Sequence, residues 1–230
     1  MFDGRFRAPI ERAVKPVGDG LRRTGLTPDH LTALGLLVAI GAAVAIGRGA
    51  LRGGLLLVVL AALPDLLDGA LAKASNTASQ RGAFFDSVAD RVTDMLLFGG
   101  IGWYLAGRYG ATMAMLPFAV MAVSSLISYE RAKAESLGLQ AKGGLMERAE
   151  RIIALCFGLL FDSLLVPVLW LMLALTTVTA VQRFARVWVQ AKAPPAAAAK
   201  IAVRRSRRVA RRSVRAQRRD ELQLRRRRSR

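Results

Sequence analysis

Cysteine and histidine are almost missing from this chain, which holds one of each, Cys156 and His30, in 230 residues. A single Cys excludes an intramolecular disulfide and any Cys-rich metal site, and a single His excludes zinc sites built from several imidazoles. Acidic residues are scarce too: 16 Asp and Glu stand against 35 Lys and Arg, for a net charge of +19. The opening stretch MFDGRFRAPIERAVK lacks an early apolar core, so no signal peptide is expected. What the chain does have is apolar sequence. It is 53% hydrophobic with a mean hydropathy of +0.32 despite 22% charged residues. Apolar runs and charge must therefore occupy different regions. A soluble domain this apolar and this basic would be unusual, so a single-domain membrane protein is the class that fits.

The charge is mainly a property of the C-terminus. From Lys200 onward there are 15 Lys or Arg and 2 Asp or Glu, with Arg doublets at 204–205, 207–208, 211–212 and 218–219 and a run at 225–228. Low apolar content predicts a disordered tail or a fluctuating helix over residues 191–230. Held beside a membrane, each such cation is worth about 1 kcal/mol toward anionic headgroups. Nucleic acid could use the same charge, but no aromatic or base-reading pattern accompanies it, so it is not the expected partner.

The apolar runs predict an all-α polytopic membrane protein with six transmembrane helices, at 31–48, 51–68, 86–107, 110–132, 149–165 and 166–188. Before them, residues 5–22 mix Arg, Lys and apolar residues at helical spacing, which predicts an N-terminal amphipathic interfacial helix within a juxtamembrane segment spanning 1–30. The spans then make one transmembrane domain over 31–190. In the stretch TGLTPDHLT, Thr27 suits an N-cap and Pro28 the first helical turn. An even span count places both termini on one side. With that side inside, Lys73, Arg81, Arg131, Lys133, Lys142, Arg148 and Arg151 fall on inner ends or loops, and only Arg48, Arg52 and Arg108 fall outside. The expected location is the cell inner (plasma) membrane, with the active site and both termini cytoplasmic.

One stretch organises the chemistry: DLLDGALAKASNTASQRGAFFDSVAD, from Asp65 to Asp90. Carboxylates at the edge of hydrocarbon are costly unless compensated, and by default they mark function. Asp65 and Asp68 are spaced i, i+3 and Asp86 and Asp90 i, i+4, so each pair shares one helical face. A hairpin between the two helices would oppose the pairs, and hard oxygen ligands of this kind suit Mg²⁺ or Mn²⁺. Gly69 and Gly82 fall beside the acidic pairs, where a missing side chain lets a phosphate approach, and Lys73 adds a cation.

The pattern Asp65-x-x-Asp68-Gly69-x-x-Ala72-Lys73, eight residues, then Gly82-x-x-x-Asp86-x-x-x-Asp90 resembles the signature of the CDP-alcohol phosphatidyltransferase family. That signature has Arg where this chain has Lys73, which keeps the charge and loses the bidentate fork. The resemblance implies transfer of a phosphatidyl group from CDP-diacylglycerol to an alcohol with release of CMP. It implies two divalent ions held by Asp65, Asp68 and Asp86 with Asp90 nearby, and Asp90 as general base for the acceptor hydroxyl. It implies that Asp29 and Thr32, in a segment similar to the family's TPN-x-x-T, lie near the cytidine end. CDP-diacylglycerol would then be held by Asp29, Thr32, Asp65, Asp68, Gly69, Lys73 and Gly82. A homodimer is also implied.

The stretch from Ser128 to Ile152, SYERAKAESLGLQAKGGLMERAERI, packs cations near the inner interface. Arg148 and Arg151 share a face at i, i+3, and Glu147 and Glu150 are placed to orient them. Such a cluster beside a metal site suits a phosphorylated acceptor, since Arg forks match phosphate geometry. The run SYERAKAE, the GG and ER-x-ER spacing, and QR near the end of the last span resemble the bacterial phosphatidylinositol phosphate synthase branch. That branch implies inositol phosphate as acceptor, its phosphate held by Arg131, Lys133, Arg148, Arg151 and Arg183. Relatives carry Lys and Arg at 131 and 133, the reverse of this chain, and Pro where Ala149 stands. Glycerol 3-phosphate is the alternative acceptor. A cation-coupled transporter would also need intramembrane carboxylates, and would show flux without CMP release. Asp94 continues the Asp86 and Asp90 face one turn on and reads either as support for the site or as a helix-packing hydrogen bond.

Overall fold

A computed structural model of the chain describes residues 27–62, 79–141 and 143–192. The predicted amphipathic helix at 5–22, the first half of the aspartate motif and the Arg-rich tail lie outside the described residues.

Helix α1 (Pro28–Gly47) begins where its sequence provides a cap: the Thr27 hydroxyl accepts from the His30 amide at 3.4 Å, and the His30 imidazole accepts in return from the Thr27 amide at 3.4 Å. The lone histidine thus takes the place usually held by Glu or Gln in a capping box. Small residues line one face of α1, with Ala39, Ala42 and Ala43 buried. Onto that face packs α3 (Gln80–Tyr109). At the crossing, a Cβ added to Gly100 would lie 2.5 Å from the Ala43 carbonyl oxygen, so the two backbones meet at a distance only glycine permits. Between these helices runs α2 (Leu51–Ala62), which buries Leu51 and Val58; the remainder of its predicted span, to residue 68, is not described.

A short 3₁₀ turn, Ala111–Ala114, leads into α4 (Met115–Ser136). The last two helices, α5 (Arg148–Leu160) and α6 (Asp162–Ala191), form a hairpin whose bend is the extended residue Phe161. The sequence pattern places that bend at 165–166. It falls at 161 instead because Asp162 is claimed by another helix: its carboxylate accepts from the Tyr104 hydroxyl of α3 at 2.8 Å and faces Arg108 at 3.6 Å. The bundle core lies between these elements, with Leu97, Ile101 and Leu105 of α3, Val120 of α4, Leu155 and Leu159 of α5, and Leu169 and Met172 of α6 buried together.

All the described regular structure is helical. Among the described residues, three helices are long and apolar enough to cross a membrane: Asp29–Gly47, Ala111–Ser136 and Asp162–Ala191. Their outward faces expose Leu34, Leu37, Trp170, Leu171 and Val181, an arrangement costly in water and ordinary in lipid. The hydroxyls of Thr176, Thr177 and Thr179 in α6 bond back to the carbonyls of Met172, Leu173 and Leu175 at 2.7–2.8 Å, which satisfies them within an apolar helix. With 30 residues, α3 is about 45 Å long, well beyond a hydrocarbon core of about 30 Å. The candidate site is built on its polar first turns.

Candidate active site

Ser79 caps α3, its hydroxyl accepting from the Gly82 amide at 3.0 Å, so the helix starts six residues before the predicted apolar span at 86. From that start, Asp86, Asp90 and Asp94 follow at four-residue intervals and form a ladder along one face. The N-terminus of α1 lies over the same end. Asp29 pairs with Arg81 at 3.1 Å, and a Cβ on Gly82 would sit 3.4 Å from the Asp29 carboxylate. Asp29 and Gly82, both predicted to face CDP-diacylglycerol, are therefore neighbours. Thr32, half-buried, is one turn farther along α1.

The ladder faces the start of α5. Asp90 Oδ1 is 2.8 Å from Arg148 Nη1, and its Oδ2 is 3.4 Å from Arg91 Nη2. Asp94 Oδ2 accepts from Arg151 Nη2 at 3.1 Å, and its Oδ1 lies 3.8 Å from Arg148 Nε. Asp94 and Arg151 are 5% and 3% exposed, whereas Asp90, Arg91 and Arg148 are partly open. Arg148 and Arg151 do share a face, as predicted, but their partners are not Glu147 and Glu150. The α3 carboxylates reach them across the helix interface, and Glu147 turns the other way, accepting from the Gly143 amide at 3.1 Å and facing Arg183 at 3.6 Å.

Arg183 comes from α6 and is 3% exposed. Its Nη1 donates to the Ile127 carbonyl at 2.9 Å and its Nη2 to the Gly143 carbonyl at 3.5 Å, while its Nε is buried with no hydrogen-bond partner among the described residues. Arg131 lies within electrostatic reach of Arg183 and pairs with Glu135 at 3.1 Å on the surface of α4. Lys133 stands exposed in the last turn of α4. The bundle thus gathers Arg148, Arg151, Arg183 and Arg131 at the end that carries Asp86 and Asp90; Lys133 is on that end's rim. Asp65, Asp68, Gly69 and Lys73 lie outside the described residues.

The loop between α4 and α5 holds these groups in place. Gly138 and Gly143 adopt φ of 72° and 89°, which glycine allows without strain. The Met146 amide donates to the Thr179 hydroxyl at 3.1 Å, and Gln140 and Gln190 exchange hydrogen bonds at 3.2 and 2.8 Å. Thr179 and Gln190 carry no sequence signal of this role, because the loop they brace is remote in the chain. Asp94 did carry one, as the third member of an i, i+4 series.

Among the described residues no group of three or more metal-ligating side chains comes together; the described half of the aspartate motif contributes two hard carboxylates, Asp86 and Asp90, one turn apart and half-buried, a donor type that suits a divalent ion.

Comparison with known proteins supplies the context for this arrangement. The CDP-alcohol phosphatidyltransferase family profile matches residues 25–182. The phosphatidylinositol phosphate synthase of Mycobacterium marinum is 34% identical over 192 residues, covering 79% of this chain and 82% of that protein. The crystal structure of Mycobacterium tuberculosis phosphatidylinositol phosphate synthase with CDP-DAG bound superposes with a TM-score of 0.72 at 33% identity, covering 77% of this chain and 94% of that one. The same enzyme in complex with manganese and citrate gives a TM-score of 0.72 at 32% identity, over 76% of this chain and 88% of that one.

Proposed function

The chain belongs to the CDP-alcohol phosphatidyltransferase family, and from that premise we propose that it transfers the phosphatidyl group of CDP-diacylglycerol to inositol phosphate and releases CMP. It is an integral membrane transferase. Similarity to phosphatidylinositol phosphate synthases supports the acceptor, and so does one contact: the 2.8 Å pair between Asp90 and Arg148. That pair sets the carboxylate proposed as base beside the guanidinium proposed to hold the acceptor's phosphate. An acceptor phosphate anchored on Arg148 would carry its hydroxyl to Asp90. An unphosphorylated alcohol would have less use for the arginine cluster.

Asp65, Asp68, Asp86 and Asp90 would hold two divalent ions, Mg²⁺ or Mn²⁺, which when bound supply charge neutralisation at the diphosphate. The residues of this chain do the rest. Asp29, Thr32, Gly69, Lys73 and Gly82 hold the CDP portion. Arg131, Lys133, Arg148, Arg151 and Arg183 form the seat of the acceptor phosphate. Asp90 takes the proton from the acceptor hydroxyl as its oxygen bonds to the lipid-bearing phosphorus, and the bond from that phosphorus to the CMP oxygen breaks. The acyl chains stay in the bilayer.

In the same reading the chain makes six spans, with α3 as the third and the α5–α6 hairpin as the fifth and sixth, and it works as a homodimer. The ladder end faces the cytoplasm of the inner (plasma) membrane. Residues 1–30 form an amphipathic juxtamembrane segment, 31–190 the catalytic domain, and 191–230 a disordered tail adhering to anionic headgroups.

The test is CMP release by purified protein with Mg²⁺ and CDP-diacylglycerol, comparing inositol 1-phosphate, free inositol and glycerol 3-phosphate. Release with inositol 1-phosphate alone is the expected result, lost on chelation and restored by Mg²⁺ or Mn²⁺. Preference for glycerol 3-phosphate would keep the chemistry and overturn the acceptor. No release with any acceptor would return the transporter reading.

A further inference from the structure

Asp94 belongs to none of the sets named so far, yet it is the most enclosed carboxylate of the ladder and, among the described residues, it ties both arginines of α5 to α3. Resting on the acceptor reading above, we propose that Asp94 is the positioning residue of the acceptor-phosphate seat, fixing the Arg151 and Arg148 guanidiniums at the distance from Asp90 that the reaction needs.

The charge arrangement carries the argument. Arg148 and Arg151 are one turn apart on one face, and both Arg91 and Arg148 lie within electrostatic reach of Arg151. Arg151 is 3% exposed, and a guanidinium that deeply buried stays in place only with a counter-charge and a hydrogen-bond acceptor. Asp94 supplies both at 3.1 Å. Asp90 cannot substitute for it, because its two oxygens face Arg148 at 2.8 Å and Arg91 at 3.4 Å. The other oxygen of Asp94 lies 3.8 Å from Arg148 Nε, so this one carboxylate faces both arginines of α5.

The experiment uses the full chain in detergent and measures CMP release while inositol 1-phosphate and CDP-diacylglycerol are varied in turn, with the thermal unfolding midpoint of each variant recorded. Asp94→Asn keeps the shape and loses the charge. Its acceptor KM should rise roughly 10- to 100-fold, the usual scale for losing a group that orients a ligand-binding side chain. The KM for CDP-diacylglycerol should not move. Asp94→Glu, which restores the charge one methylene farther out, should fall between wild type and Asp94→Asn on the acceptor KM alone.

Acceptor KM values unchanged in both variants would overturn the proposal. So would equal rises in both substrates' KM in step with lost thermal stability, which would make the pair a packing device. Should Asp94→Asn fail to fold, Asp94→Glu carries the test by the same two criteria. Wild-type protein that ignores inositol 1-phosphate would overturn the acceptor reading itself, and this proposal with it. A wild type that responds to inositol 1-phosphate, with the acceptor KM unchanged in both variants, would overturn the role of Asp94 alone.

Discussion

Asp90 is asked to do two things in the proposed reaction, and its surroundings permit a clean separation of them. Asn at this position keeps an oxygen able to accept from Arg148, now 2.8 Å from the carboxylate, but cannot take a proton. Asp90→Asn should therefore lower kcat roughly 100- to 10,000-fold, the range for losing a general base. Binding of CDP-diacylglycerol, followed by titration calorimetry in detergent, should be largely kept. Turnover near the wild-type rate would remove Asp90 as the base. At this scale, sequence spacing gave residue types and faces and failed on partners. The i, i+3 rule put Arg148 and Arg151 on one face, and the structure agrees, but the nearby Glu147 and Glu150 were the wrong counter-ions. Neighbours along a helix are visible in a sequence. A carboxylate arriving from a helix more than fifty residues away is not, and in a bundle that carboxylate is better buried and so wins the pair.

Among the helices, α1 against α3 depends on backbone contact more than on large side chains. A methyl on Gly100 would meet the Ala43 carbonyl oxygen, Cα and carbonyl carbon at 2.5–3.0 Å, and none of these is the end of a flexible group. Gly100→Ala should cost about 1–3 kcal/mol as overpacking, read as a lower thermal midpoint in detergent. The neighbouring Gly99 has nothing within 4 Å of such a methyl, so Gly99→Ala should be neutral or gain up to about 1 kcal/mol from helix propensity. If the two variants melt alike, the α1–α3 crossing is not set by this contact. The tight crossing also bears on the site, because it sets the N-termini of α1 and α3 side by side and so brings Asp29 to Gly82. Hydropathy revealed these helices as apolar runs but misplaced one bend. The apolar run from 86 is part of a longer helix, whose polar start QRGAFFDSVADR is set by the Ser79 cap. The bend at Phe161 was hidden because its cause, the hold of Tyr104 on Asp162, joins residues far apart in sequence.

Taken whole, the molecule separates its chemistry from most of its charge. The ladder and the arginine seat need only a few paired cations, while 15 of the 35 basic residues lie from Lys200 onward, past the last helix of the bundle. No group in the proposed reaction comes from that tail, so deleting residues 200–230 should leave kcat and both KM values in detergent nearly unchanged. Its effect should emerge only beside a charged bilayer. With each cation worth about 1 kcal/mol near an anionic leaflet, trypsin should cut the tail of the intact protein more slowly in vesicles rich in phosphatidylglycerol than in phosphatidylcholine vesicles. The difference should fade as salt shortens the Debye length from about 10 Å at 0.1 M to about 3 Å at 1 M. Equal cleavage in both vesicles at low salt would deny the tail a lipid role. A truncated protein that folds but does not turn over would place the tail inside the catalytic machinery, contrary to a site drawn wholly from residues between Asp29 and Arg183.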